Sequence, residues 1–284
     1  MPRDNPMTFL YSSLTSILPE PVIGLIQEYY VAPKEIAEFL KLVTEGEQDK
    51  AETMLKINSD LALVPGDVTD LSKRTFTNIT AFQYAVWALD WHMWTMIRKY
   101  LPDDEAKKQA EGFETGSWVR QHGVQAQHLL DNLVKALQTT IDLYQKAEDA
   151  TFFKDKKFSE ANTSWVQQVG GAQLLLPAHV INEYCHPTRS FDPCPNFKDS
   201  AALPRTRKVN EGEWFTASYN SGTLGVKFAC ARAWALGGSW LWVEYYARSV
   251  CDRNSIRVLS STRIAQREEL ITELRAKPVR KKAA

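Results

Sequence analysis

From Pro33 onward the apolar positions Ile36, Phe39, Leu40 and Val43 fall three and four apart, the spacing of one buried helix face. Pro33 suits the first turn of that helix, where its missing N–H would be unpaired anyway, and Gly46 ends it. Ala51, Met54 and Leu55 mark a second, short helix that stops near Asn58-Ser59-Asp60. Residues 62–79 read as a loop, with Pro65-Gly66 and a polar run from Asp70 to Asn78. Thr80 is placed as the N-cap of the next helix. That helix runs through Phe82, Tyr84, Trp87, Trp91, Trp94 and Ile97 to Tyr100-Leu101, where Pro102 closes it. Residues 81–97 are apolar almost all round, which predicts burial on several sides or a docking surface. A further long helix is predicted over about 117–149, with Leu129, Leu130, Leu133, Val134, Leu137, Ile141 and Tyr144 in one stripe.

The pattern changes after residue 150. Gly170-Gly171 and Pro177 interrupt a segment carrying Trp165, Leu174, Leu175 and Leu176, and four prolines between Cys185 and Pro204 predict an irregular loop. Glu213 to Tyr219 suits a strand, Asn220-Ser221-Gly222 is turn chemistry, and Thr223 to Phe228 can return as the second strand of a hairpin. Trp240 to Tyr246 fits either a strand or a buried helix. The last helix is expected from about Thr262 to Arg275, followed by the basic residues Lys277, Arg280, Lys281 and Lys282. Ahead of all this, an N-terminal arm with Phe9, Leu10, Tyr11, Leu14, Ile17 and Leu18 is too apolar for a solvated tail and is expected to dock on the body.

Charge divides the chain in the same place. The 284 residues carry 34 basic and 34 acidic side chains, yet residues 1–150 hold 14 and 22 of them and residues 151–284 hold 20 and 12. A net of −8 thus faces a net of +8. This predicts an acidic helical region over 1–150 and a basic loop, hairpin and helix region over 151–284, packed together as one unit. Four cysteines, all in the basic region, are too few for a disulfide scaffold and read as reduced thiols in a cytosol. The charged and polar residues at the start exclude a secretory leader. The best candidate for a membrane segment, between Arg232 and Glu244, has only 11 uncharged residues, against the ~20 that a spanning helix needs.

The hexapeptide Thr80-Ala81-Phe82-Gln83-Tyr84-Ala85 resembles the opening of an ankyrin repeat, with Phe82 at the leucine position and Gln83 in place of the histidine. Gly46 followed by Ala51, Met54 and Leu55 looks like the outer-helix half of a preceding repeat. The fold class that follows is mainly α: a helical body with ankyrin-like hairpins, plus a small β-hairpin in the C-terminal half. Three longer blocks also resemble Legionella-type Dot/Icm type IV secretion effectors: Ile79 to Ala85, Leu176 to Cys185, and Glu213 to Tyr219. The acidic patch Glu268, Glu269 and Glu273 is similar to an element of some of their secretion signals. The resemblance implies a bacterial protein secreted into a host cytosol, and carries no assigned chemistry.

Candidate chemistry is sparse. His179, Cys185, His186 and Cys194 lie within sixteen residues and supply zinc-type ligands. Their spacing lacks the close pairs that bring ligands together, so no metal or other cofactor is expected. The same residues could form a nucleophilic cysteine site, because a nearby imidazole can activate a thiolate. His92 is expected to satisfy a hydrogen bond in the core, and His122 and His128 to be exposed. Arg205, Arg207 and Lys208 form a solvated patch that does not favour nucleic acid. The chain has no Walker motif, dinucleotide fingerprint, zinc-protease helix or nucleophile elbow. Its 31 aromatic side chains exceed the need of core filling, and Trp and Tyr anchor interfaces. The candidate interaction residues are Tyr84, Trp87, Trp91 and Trp94, with Trp240 and Trp242. The resulting expectation is a noncatalytic module that binds a host protein; the alternative is a cysteine-dependent enzyme with its site in 179–219.

Overall fold

Two helical hairpins open the fold, and both turn on the same backbone device. In the first, α1 (Pro33–Thr44) leads into α2 (Gln48–Ile57); in the second, α3 (Ala81–Trp87) leads into α4 (Trp91–Ile97). Gly46 N–H donates to Val43 and Glu47 N–H to Leu42, at 3.1 and 2.8 Å. Leu89 N–H donates to Val86 and Asp90 N–H to Ala85, at 3.2 and 2.9 Å. Each is a Schellman closure, with the left-handed residue Gly46 (φ 72°) or Leu89 (φ 60°) just past the helix end. The single helix expected over 80–101 is therefore broken in two. Leucine is a poor left-handed residue, but Leu89 is fully buried, and its packing holds the turn that a glycine would signal in sequence.

The structure is a computed structural model. It describes residues 33–114, 125–146, 160–161, 163–184, 186, 191, 193–198, 203, 208–209, 212–213 and 242–276; of these, 114, 166, 208–209, 212–213 and 242–248 are described by backbone alone. The N-terminal arm lies outside them.

Stacking follows from the repeated turn. α1 packs on α3 and α2 on α4, inner helix to inner and outer to outer, as in consecutive ankyrin repeats. The resemblance at 80–85 has a physical basis at the start of α3. Thr80 Oγ1 accepts from Gln83 N–H at 3.2 Å, and Gln83 Oε1 accepts from Thr80 N–H at 3.0 Å. Gln83, the departure from the ankyrin pattern, thus supplies the return arm of a capping box. Gln109 of α5 (Asp103–Glu114) joins this cap by accepting from Thr80 Oγ1 at 2.6 Å and donating to the Ala62 carbonyl at 3.2 Å.

Between the two hairpins, the segment expected to be loop contains a β-hairpin. β1 (Gly66–Thr69) pairs antiparallel with β2 (Thr75–Ile79), with an irregularity between Gly66 and Val68. Its turn is organised by Asp70, whose carboxylate accepts from Arg74 N–H at 3.0 Å and from the Ser72 hydroxyl at 2.6 Å. Gly66 allows the strand to lie on α1: a Cβ there would come within 2.8 Å of Ile36 and 2.9 Å of Leu40.

The second half of the body is built around α6 (Ala126–Lys146) and α9 (Trp242–Ala276), which pack along each other, while α9 also touches α5 and α4. A π-helical turn (Trp165–Val169), α7 (Gly170–Gln173) and α8 (Ala178–Tyr184) lie between them in sequence. The last helix thus begins twenty residues before the expected Thr262 and takes in part of the ambiguous 240–246 segment. A two-residue pair, β3 (Lys208–Val209) with β4 (Gly212–Glu213), forms the small hairpin of the C-terminal half. It sits just before the expected strands, which lie outside the described residues except for Glu213. One apolar cluster runs from Ile36 to Leu274. Among the described residues, each ion pair joins side chains of the same charge half. Among the described residues, contacts across the halves include apolar packing, the Arg263 guanidinium against the Trp91 ring, and hydrogen bonds to neutral groups such as Arg253 to Gln138 (2.6 Å) and Arg267 to Gln125 (3.0 Å).

Candidate functional site

The most heavily charged part of the interior lies where α4, α8 and α9 meet. Asp90 caps α4 by accepting from Met93 N–H at 3.1 Å. That leaves Trp91 and His92 on the first turn, one half-buried and one buried. Arg263 arrives from α9 with no solvent exposure, and Glu183 of α8 is 1% exposed. Their ion pair closes at 2.9 Å. Arg263 also donates to the Phe197 carbonyl and Gln266 Oε1, each at 2.8 Å, and lies 3.2 Å from His92 Nε2. A guanidinium only donates, so His92 Nε2 is the acceptor and its proton sits on Nδ1. His92 satisfies a core hydrogen bond, as expected. Burial raises the Asp90 carboxyl above its ordinary pKa, while His92, the Met93 N–H and Arg263 pull it back. Removing one partner of a buried pair costs about 3–5 kcal/mol, because the other charge is left uncompensated.

Above this network opens a cleft of about 400 Å³ between α4 and α9. Trp91, Trp94 and Leu270 give it apolar surface, Arg98 and Lys99 flank it on the α4 side, and Gln266, Glu269 and Glu273 line the α9 side. Trp91 couples the two features: it lines the cleft, and the Arg263 guanidinium lies 5.6 Å from its ring centroid. The cations of the α4 side have partners outside the cleft. Arg98 donates to the Leu101 carbonyl and pairs with Asp103, and Lys99 lies 3.7 Å from Glu52.

The described members of the Cys/His cluster stand in different settings. His179 is 2% exposed and its Nε2–H donates to the Ala88 carbonyl at 2.6 Å, tying α8 to the turn of the second hairpin. Burial, then the charge of Arg263, lowers its pKa to about 3. It is neutral near pH 7 and too weak a base to activate a thiol there. His186 is half-buried, Cys194 is exposed with its thiol 3.8 Å from the Pro195 carbonyl, and Cys185 lies outside the described residues. Among the described residues, no three His, Cys, Asp or Glu side chains gather as a metal site. His128 is exposed on α6, as expected, and His122 lies outside the described residues.

The aromatic candidates separate by depth. Tyr84, Trp87 and Trp94 are 3%, 2% and 2% exposed, so Trp91 offers the most surface of the four. Tyr84 and Trp87 pack edge-on against Phe76 of β2, with centroids 5.1 and 4.7 Å away, and Arg74 lies 5.0 Å from the Trp87 ring centroid. Among the described residues, Trp87 Nε1 and Arg74 Nη1 are buried without hydrogen-bond partners, and the buried Tyr84 hydroxyl has the Asp70 carboxylate as its polar neighbour. Trp240 and the side chain of Trp242 lie outside the described residues, as do Arg205 and Arg207.

Sequence reasoning missed Tyr184, Asp252 and Arg263. Tyr184 donates to Asp252 at 2.5 Å, and Ser255 donates to the Phe191 carbonyl at 2.9 Å. The signal was present as Ser249, Asp252, Ser255 and Arg263, small or polar residues at near-helical spacing, all buried on one face of α9. A search for apolar periodicity passes over such a face.

No solved structure matches the chain. The sequence profile of the CBUA0006 C-terminal domain matches residues 132–274, from within α6 to the end of α9, and so takes in Glu183 and Arg263. The uncharacterized protein CBUA0006 of Coxiella burnetii (strain RSA 493 / Nine Mile phase I) is 35% identical over 238 residues, covering 71% of this chain and 67% of that protein. Half of the chain matches the profile and two thirds of the relative is covered, so the chain belongs to the CBUA0006 family.

Proposed function

We propose that the chain is a bacterial effector, secreted by a type IV system into a host cytosol, that acts there by binding a host protein through the cleft between α4 and α9. The observation that carries the binding role is the half-buried Trp91, backed by a fully buried Arg263 and set in a concave surface between two helices. A fixed aromatic side chain in a cleft is the kind of anchor around which interface energy concentrates. The stacked hairpins support the same role, since such layers present rigid concave surfaces. The delivery part of the reading draws on the resemblance of three sequence blocks to Legionella-type effectors and on the bacterial source of the relative.

Two experiments test the two parts. For delivery, the chain is fused to a calmodulin-dependent adenylate cyclase and expressed in Dot/Icm-proficient and Dot/Icm-deficient donor bacteria. Host cyclic AMP is expected to rise with the proficient donor alone; equal signals from both would overturn delivery by that system. For binding, the purified chain and its Trp91→Ala variant are compared for proteins captured from host lysate. A partner retained at moderate salt and lost in the variant is expected. The same proteins captured by both would overturn the role of the cleft.

A further inference from the structure

The lining of the cleft says what kind of side chain it admits. On the α4 side Arg98 and Lys99 have carboxylate partners outside it, in Asp103 and Glu52. On the α9 side Glu269 has no ion pair or hydrogen bond among the described residues, and Glu273 follows it one helical turn later on the same wall. Glu52 is shared with Lys56, so the α4 wall keeps some positive charge, and the carboxylate open to an occupant is that of Glu269. Beside these carboxylates lies Trp91, whose ring face attracts cations. A planar guanidinium stacks on indole and meets a carboxylate with two parallel hydrogen bonds, which an ammonium does not do. A phosphate group, from nucleic acid or an anionic lipid, would meet repulsion from the same wall.

We propose that the cleft takes an arginine-bearing segment of a partner protein, with the guanidinium on the Trp91 ring and paired to Glu269, and Glu273 reinforcing the field. This rests on the reading of the cleft as the docking surface and adds the chemistry of what docks there.

The test uses the full chain and a fluorescein-labelled dodecapeptide of three Ser-Leu-Arg-Gly repeats, followed by fluorescence anisotropy. The controls replace arginine with citrulline, which keeps the shape and removes the charge, or with glutamate. The arginine peptide is expected to bind at least about tenfold more tightly than the citrulline peptide, with the glutamate peptide weakest. The double variant Glu269→Gln, Glu273→Gln changes only exposed side chains and is expected to lose about tenfold for the arginine peptide alone. Equal binding of the arginine and citrulline peptides, or no change in the double variant, would overturn the proposal. If the arginine peptide fails while Trp91→Ala still abolishes lysate capture, the choice of occupant is wrong and the docking surface stands. If both fail, the docking surface falls too.

Discussion

The stacked hairpins of residues 33–97 and the joint between α8 and α9 are both buried, but they are held by different means. In the hairpins the decisive bonds are local. The Schellman turns span five residues at most, and the capping box of α3 spans three. At the joint the partners are far apart in sequence: Arg263 reaches Glu183 across 80 positions and His92 across 171, and His179 reaches Ala88 across 91. Local bonds can form while the rest of the chain is still searching, whereas the joint exists only once the three helices have met. The hairpins are apolar and tolerant; the joint is charged and depends on each partner.

The sharpest way to break this contrast is to remove Arg263. Arg263→Ala takes the guanidinium away from the buried Glu183 carboxylate, and a loss of about 3–5 kcal/mol is expected in urea unfolding. The double variant Arg263→Met, Glu183→Leu is expected to recover much of it, because no unpaired charge remains. Equal losses in the two would mean that the joint works by packing alone.

Acid probes the same joint through His179. Its folded pKa is about 3, against an ordinary value of about 6.5. Between those values the unfolded chain holds the proton and the folded chain does not. Stability therefore falls as pH drops below about 6.5, by about 1.4 kcal/mol per unit, or about 2 kcal/mol between pH 7 and pH 5. Asp90 acts in the opposite sense, since a raised carboxyl pKa favours the folded chain as it protonates. His179→Gln keeps an N–H for the Ala88 carbonyl and is expected to flatten the pH dependence. An unchanged slope would contradict the assignment.

The hairpins should give smaller numbers. Thr80→Ala removes the cap of α3 and is expected to cost about 1 kcal/mol in the same assay; a loss as large as that of Arg263→Ala would erase the distinction between the regions. Tyr84→Phe removes a buried hydroxyl that neighbours the Asp70 carboxylate but makes no hydrogen bond within 3.5 Å among the described residues. It is expected to be neutral or stabilising by about 1 kcal/mol, and a clear loss would show that the hydroxyl is paired in solution.

How much could be read from the sequence follows the same division. The face of α1, the stripe of α6, the turn at Gly46 and the N-cap at Thr80 were all legible, because each is encoded by neighbours. The β1–β2 hairpin was hidden since only Val68, Phe76 and Ile79 among its strand residues point inward, too few to show alternation. The break at Leu89 was hidden because leucine stands where glycine would have given the turn away. The first half of α9 was hidden because its buried face carries Ser249, Asp252 and Ser255. In the candidate site, Trp91 and Trp94 were picked out by composition. Nothing local distinguished Trp91, at the cleft, from Trp87, in the core. The histidines of the suspected cysteine site were legible as a cluster, but proximity in sequence did not foretell that His179 would be spent on the Ala88 carbonyl.

The most direct test of the cleft as the docking surface is site-specific photo-cross-linking. A benzophenone amino acid is placed at Gln266, on the cleft wall, or at Ile57, which is 83% exposed on the hairpin side and outside the cleft. Each protein is irradiated in host lysate and adducts are resolved by mass. A discrete adduct from position 266, absent from position 57 and lost with Trp91→Ala, is the result the account predicts. The same adducts from both positions, or none from position 266, would contradict it.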